Sequence, residues 1–255
     1  MQEITSPSNQ IIKTIKGLSR KKERWIHRLF IIEGIKMIIE GIENHADMNS
    51  IIISETFFED NCDFVEKHLL RHRNVIKVPD RLFSQISTLE NPDGILATIN
   101  IKPDTSDLDV GLYLYLDGLQ DPGNLGTIIR SSDAFNISGI IIGEESVDPY
   151  SPKVVRASMG SIFRTKILFM SRKGLIDKKN EGYRLISTAI NNAVEIDKVI
   201  FSPKDIIVIG NEGNGVSSEL EINSDIKITI PMKGKAESLN AGVAASIIMY
   251  TASRR

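Results

Sequence analysis

IIVIGNEGNGVSSELEINSDIKITIPMKGKAESLNAGVAASIIMYTASRR, residues 206–255, decides how this chain reads. Ile206-Ile207-Val208-Ile209 is a continuous apolar run, the pattern of a strand covered on both faces. It runs into a glycine loop, Gly210-Asn211-Glu212-Gly213-Asn214-Gly215. A second short strand, Lys227 to Ile230, stops at Pro231. A second loop, Met232 to Glu237, leads to Ser238-Leu239-Asn240 and a small-residue helix, Ala241 to Ala252, with Ser238 and Asn240 in its first turn. Both loops are rich in backbone N–H groups, and the first carries the carboxylate Glu212. Open α/β sheets bind ligands at the carboxyl ends of their strands, so the stretch reads as a cofactor pocket.

The loop's spacing is G-x-x-G-x-G, not the dinucleotide G-x-G-x-x-G, and no G-K-[ST] of a phosphate-binding loop is present. Without other segments, a sharp turn whose glycines supply positive φ explains it equally well. Further evidence lies upstream. Leu112 to Leu116 reads as a strand, and Asp117 to Gly123 as a loop opening a helix from Asn124 to Phe135, capped by Asn124. Arg130 falls two turns along that helix among Ile128, Ile129, Ala134 and Phe135. An arginine in such company needs an anionic partner or a ligand.

Between these segments, Gly139 to Gly143, Thr165 to Phe169 and Tyr183 to Ala189 read as strands. Ser151-Pro152 starts a helix with proline in its first turn. The pattern is a parallel α/β sheet. The first hundred residues form a separate, smaller α/β domain, with strands at Phe30–Glu33, Ser50–Ile53, Val75–Val78 and Ile95–Ile99 and helices between them. Lys102 to Asp107 is polar and proline-bearing, which places a linker there and a boundary near residue 105, between domains 1–105 and 106–255.

Residues 8 to 29 read as one basic helix. Lys13, Lys16, Arg20, Lys21, Lys22, Arg24 and Arg28 face a single Glu23, in a chain of 255 residues whose formal charge is −2. A charge run is commonly a solvated face, but this concentration suits an RNA backbone, and Arg71 and Arg73 would extend it. The one cysteine, Cys62, excludes intramolecular disulfides and suits a cytoplasmic protein. The opening MQEITSPSNQ lacks the basic-then-apolar pattern of a secretory leader. No apolar run approaches the roughly 18 residues of a membrane span. Of the four histidines, His68 and His72 are four apart but lie among Lys67, Arg71 and Arg73, so no metal is expected.

Taken together, three segments resemble the SpoU (TrmH) branch of the SPOUT family of RNA methyltransferases. Asn124-Leu125-Gly126 through Arg130 is similar to the first family motif, Ile209-Gly210-Asn211-Glu212-Gly213 to the second, and Ile230-Pro231-Met232 to Ser238-Leu239-Asn240 to the third. Ala241-Gly242 departs from it, since the family more often has a branched residue and serine there. Phe30-Ile31-Ile32-Glu33-Gly34 resembles the ribosomal-protein-L30e-like substrate-binding domain found ahead of that catalytic domain.

The resemblance implies a C-terminal sheet whose last segment is threaded into a trefoil knot, a homodimer, and S-adenosylmethionine as cofactor. Ile209, Gly210, Asn211, Gly215, Ile230, Met232, Ser238 and Leu239 would hold the cofactor, with backbone contacts at Gly210, Ile230 and Leu239. The implied reaction is methyl transfer to a ribose 2′-OH of structured RNA, ribosomal in preference to transfer RNA. Asn124, Arg130, Glu212, Ser238 and Asn240 would be the catalytic set. Arg130 would bind the adjacent phosphate and stabilise the developing alkoxide, because an arginine with pKa above about 12 makes a poor base. Glu212 would anchor Arg130 or the ribose. Two other readings stay open: an idle RNA-binding or ribosome-assembly protein on the same fold, and an unrelated α/β oxidoreductase, against which the glycine spacing counts.

Overall fold

The computed structural model describes residues 1–71, 74–102, 107–190 and 192–254. His72, Arg73 and the expected boundary near residue 105 lie outside them. The chain forms two compact units. The first is Met1–Lys102 with Tyr150–Phe163, and the second is the remainder.

In the first unit, β1 (Gln2–Glu3) precedes α1 (Gln10–Gly17), α2 (Lys21–His27), β2 (Leu29–Glu33), α3 (Ile35–Glu43) and β3 (Met48–Ser54). Then come α4 (Glu55–Asp60), α5 (Cys62–Phe64) with a π turn at Val65–Leu69, β4 (Val75–Val78), α6 (Asp80–Ile86) and β5 (Ile95–Asn100). The strand order is β1-β4-β3-β5-β2, with β5 antiparallel to both neighbours. Ile31, Ile52, Ile76 and Leu96 share one buried cluster with Ile12, Ile15 and Leu18 of the α1 segment.

The basic segment is two helices, not one. α1 ends at Gly17, and the Arg24 guanidinium folds back onto it, with Nη1 donating to the Leu18 and Ser19 carbonyls at 2.7 and 2.9 Å. The end of a helix leaves carbonyls without partners, and here a buried arginine satisfies the carbonyls of the break. The helical stretch after β3 is likewise broken, at Asn61 and again by the π turn.

The second unit runs β6 (Tyr113–Leu116), α7 (Pro122–Ala134), β7 (Gly139–Ile142), β8 (Ile167–Phe169), α9 (Arg172–Asp177), β9 (Arg184–Thr188), β10 (Val194–Glu195), β11 (Asp205–Ile209), α10 (Ser218–Asn223), β12 (Ile226–Thr229) and α11 (Ala241–Ser253). The seven strands lie in the order β10-β12-β9-β11-β6-β7-β8, and every pairing is parallel. β6, β7 and β11 are buried along their whole lengths, as continuous apolar runs in a sheet covered on both sides must be.

The helix at Ser151-Pro152 forms as the sequence indicates, as α8 (Pro152–Ala157), but packs with the first unit, where Arg156 Nη1 donates to Thr88 Oγ1 at 3.0 Å. α7 starts earlier than expected. Its cap is Asp121, whose Oδ1 accepts the Asn124 N–H at 2.8 Å, and Pro122 opens its first turn. That frees the Asn124 side chain for another task. α11 packs on α7, joined by the Ser131 and Ser246 hydroxyls at 2.7 Å. Gly242 lies where a Cβ would come within 3.3 Å of the Asn124 Cα and 3.2 Å of the Thr127 Cβ, so the glycine of the departing Ala241-Gly242 pair relieves that approach.

Candidate active site

Strands β6, β11 and β12 send their carboxyl ends into three loops, 117–121, 210–217 and 230–240. The first two are stitched together by one side chain. Glu212 Oε1 accepts the Asp121 N–H at 3.0 Å and Asn124 Nδ2 at 2.9 Å, and Oε2 accepts the Gln120 N–H at 3.1 Å. Partial burial pushes the Glu212 carboxyl up, but the hydrogen bonds from Asn124, Asp121 and Gln120 outweigh this and hold it below the ordinary carboxylate range. Glu212 therefore anchors Asn124 and the start of α7. Arg130, one of the two partners expected for it, is not among the groups that bond it.

Asn211 organises the second loop. Its Oδ1 accepts the N–H groups of Gly213 and Asn214 at 2.9 and 3.1 Å, while Nδ2 donates to the Gly118 carbonyl at 2.8 Å. Its backbone exchanges two hydrogen bonds with Gly215, each 2.9 Å. The turn is so tight that a Cβ on Gly210 would sit 2.1 Å from the Gly215 carbonyl carbon. Gly215 adopts φ +71°, which favours glycine. These glycines are thus demanded by the turn, whatever binds beside it.

Beside it lies a cavity of about 970 Å³, at the upper end of the roughly 300–1,000 Å³ of small-molecule sites. Ile209, Gly210, Asn211, Gly215, Ile230, Met232, Ser238 and Leu239 all lie on its wall, and so do Glu212 and Asn240. Asn240 also caps α11, with Oδ1 accepting the N–H groups of Gly242 and Val243 at 3.0 and 3.2 Å. Ser238 and Leu239 precede the helix, leaving their backbone outside its hydrogen-bond ladder. Asn124 is buried under the loop, and neither it nor Arg130 lies on the wall. Arg130 is exposed on α7 and makes no ion pair with a described residue.

A third side of the cavity was not foreseen. Thr188, Ala189 and Ile190 close it from the end of β9, and Ala241, Ala244 and Ile248 do so from α11. The strand Tyr183–Ala189 was legible, but its place beside β11 was not. The Lys227–Glu221 pair, 2.7 Å apart, also borders the space.

The arrangement suits S-adenosylmethionine. Apolar side chains of Ile209, Ile230, Leu239 and Ile248 offer a face for an adenine ring. Glycine-rich backbone supplies hydrogen-bonding groups, and the Glu237 carboxylate on the wall favours a ligand bearing a sulfonium and an ammonium group. Ile230, Ser238 and Leu239 would supply backbone groups from one side and the 209–215 loop from the other.

Of the seven cations assigned to RNA, Lys13, Lys16, Arg20, Lys21, Lys22 and Arg28 are exposed. Arg24 is a correction. It is 3% exposed and committed to the two carbonyls of the helix break, so it cannot serve as a free phosphate contact. Arg28 lies over the Trp25 ring at 5.6 Å.

Comparison with known proteins bears on both units. Residues 111–250 match the model of the SpoU rRNA Methylase family, and residues 9–97 that of the MRM3-like substrate binding domain. The chain is 30% identical over 251 residues to the 23S rRNA (guanosine(2553)-2′-O)-methyltransferase RlmP of Bacillus subtilis, covering 98% of each. It is similar to the crystal structure of an AdoMet-bound rRNA methyltransferase from Sinorhizobium meliloti, with TM-score 0.86, 30% identity and coverage of 99% and 97% of the two chains. It is also similar to the SpoU methyltransferase AviRb from Streptomyces viridochromogenes in complex with AdoMet, with TM-score 0.84, 25% identity and coverage of 96% and 97%. The chain belongs to the SpoU family of S-adenosylmethionine-dependent RNA methyltransferases.

Proposed function

We propose that this protein transfers a methyl group from S-adenosylmethionine to a ribose 2′-OH of ribosomal RNA, with Asn124, Arg130, Glu212, Ser238 and Asn240 as its working residues. The observation that carries the assignment is the Glu212 bridge. It fixes the helix bearing Arg130 to the loop that walls the cavity. The named activity of the Bacillus subtilis relative, a 2′-O-methylation of 23S rRNA, supports the reaction and the RNA class.

Bound S-adenosylmethionine supplies a methyl already activated by its sulfonium, so the protein's work is positioning and charge. The exposed, unpaired Arg130 binds the phosphate next to the target ribose. Its charge stabilises negative charge growing on the 2′-oxygen as its proton departs to solvent. Ser238 and Asn240, at the cavity wall, orient the ribose edge. The exposed cations of α1 and α2 hold the RNA backbone, since structured RNA is recognised largely by shape, phosphates and 2′-OH groups.

The working form is a homodimer. Val243, Ile247 and Tyr250 are spaced along α11 and are 46%, 36% and 49% exposed, an apolar stripe suited to a second copy. A ribosomal RNA substrate and a lone free cysteine support a cytoplasmic location.

Transfer of tritiated methyl to ribosomal RNA tests the reaction, and ribose-methylation mapping of total RNA with and without the protein finds the site. Label on transfer RNA alone would move the assignment to that substrate. No incorporation, with RNA binding retained, would favour an RNA-binding or ribosome-assembly role.

A further inference from the structure

The loop 210–217 is tied at its entry by Asn211 and Glu212. Its exit is tied by a group outside every motif named above. The Asp117 carboxylate, its side chain 1% exposed, accepts the Ser217 N–H on Oδ2 at 2.7 Å and the Arg172 Nε–H on Oδ1 at 2.7 Å. Asp117 also donates its own N–H to the Ile209 carbonyl at 2.8 Å, fixing it to the strand that starts the loop. One residue thus grips both ends of a turn whose middle walls the cavity. Neither Asp117 nor Arg172 lies on that wall.

We propose that Asp117 and Arg172 are positioning residues that hold the cofactor loop in its binding shape before the cofactor arrives. Two charge-assisted bonds on one buried carboxylate make a stiff tie. Arg172 is required because a carboxylate buried there without a cation would be a costly, uncompensated charge. Once the tie is lost, the loop samples other shapes, and cofactor affinity falls by the fraction of time the competent shape is lost. A bound cofactor restores that shape, so turnover at saturation is spared. This rests on the reading of the cavity as the S-adenosylmethionine site.

Ser217 gives a clean probe. Its φ of −60° suits proline, which lacks the N–H. Ser217→Pro therefore deletes the tie, and Ser217→Ala keeps it. Arg172→Lys keeps the charge but loses the Nε donor and decides the matter if the proline variant fails to fold. Ala244→Trp fills the cavity from α11. Calorimetry of the full-length protein with S-adenosylhomocysteine is the readout, alongside KM for S-adenosylmethionine and kcat. We expect Ser217→Pro and Arg172→Lys to weaken binding by about tenfold or more. KM should rise in step at unchanged kcat, and Ser217→Ala should stay within about twofold. Wild-type affinity in folded Ser217→Pro, or a fall in kcat at unchanged affinity, overturns the proposal. If Ala244→Trp also binds normally, the cavity assignment itself fails; if it alone loses binding, only the positioning role does.

Discussion

Asn124 and Glu212 lie 88 positions apart in the chain and 2.9 Å apart in the fold, joined by an amide N–H donating to a carboxylate oxygen. The same carboxylate takes the backbone N–H groups of Gln120 and Asp121. A glutamine at position 212 offers one good acceptor in place of two charged ones. Glu212→Gln should lower folding stability by about 1–2 kcal/mol, after discounting for partial solvent screening, and methyl transfer by about tenfold or more. Because the Glu212 carboxyl is held below its ordinary range, its contribution is complete above that range and is lost as pH falls through the lowered pKa. The stability gap between wild type and Glu212→Gln should stay level down to about pH 5 and close at lower pH. Urea unfolding across pH measures this, and a gap that widens on acidification would contradict it.

Arg130 is exposed and makes no ion pair with a described residue. Arg130→Ala should therefore leave the unfolding midpoint within about 0.5 kcal/mol of wild type, yet cut methyl transfer at saturating cofactor by about a hundredfold. Arg130→Lys should recover little, because it replaces a planar fork with a point charge. Full methylation by Arg130→Ala would remove this residue from the reaction.

The basic segment separates into two kinds of residue, and two measurements distinguish them. Arg24→Ala strips the Leu18 and Ser19 carbonyls of their donor and should cost about 1.5–3 kcal/mol of stability. Lys21→Glu with Lys22→Glu should leave stability nearly unchanged. Each charge reversal should weaken RNA binding across sequences and lower its salt dependence by about one counterion. A salt slope identical to wild type would take these lysines out of the RNA contact.

Ile247→Glu with Tyr250→Glu puts charge on the exposed stripe of α11. If α11 carries the proposed dimer contact, sedimentation should show a dimer for the wild type and a monomer for this variant. A double variant that sediments like wild type would place the contact on another face.

The sequence by itself determined the local structure. Uninterrupted apolar runs marked β7 and β11 as covered on both faces, and the glycine loop after β11 marked a turn that only small residues permit. The three motif segments marked the family. The same local logic erred where a long-range partner intervened. Where the basic helix breaks, Arg24 is drawn inward to the exposed carbonyls, and Asp121 caps α7 while the Asn124 amide bonds to the distant Glu212. The tertiary structure alone decided that Thr188–Ile190 wall the cavity, that Asp117 meets Ser217, and that residues 150–163 pack with the first unit. The reason is one of range. Periodicity and turn chemistry depend on neighbours a few residues away, whereas strand order and the partners of buried polar groups depend on which distant segments close around one core.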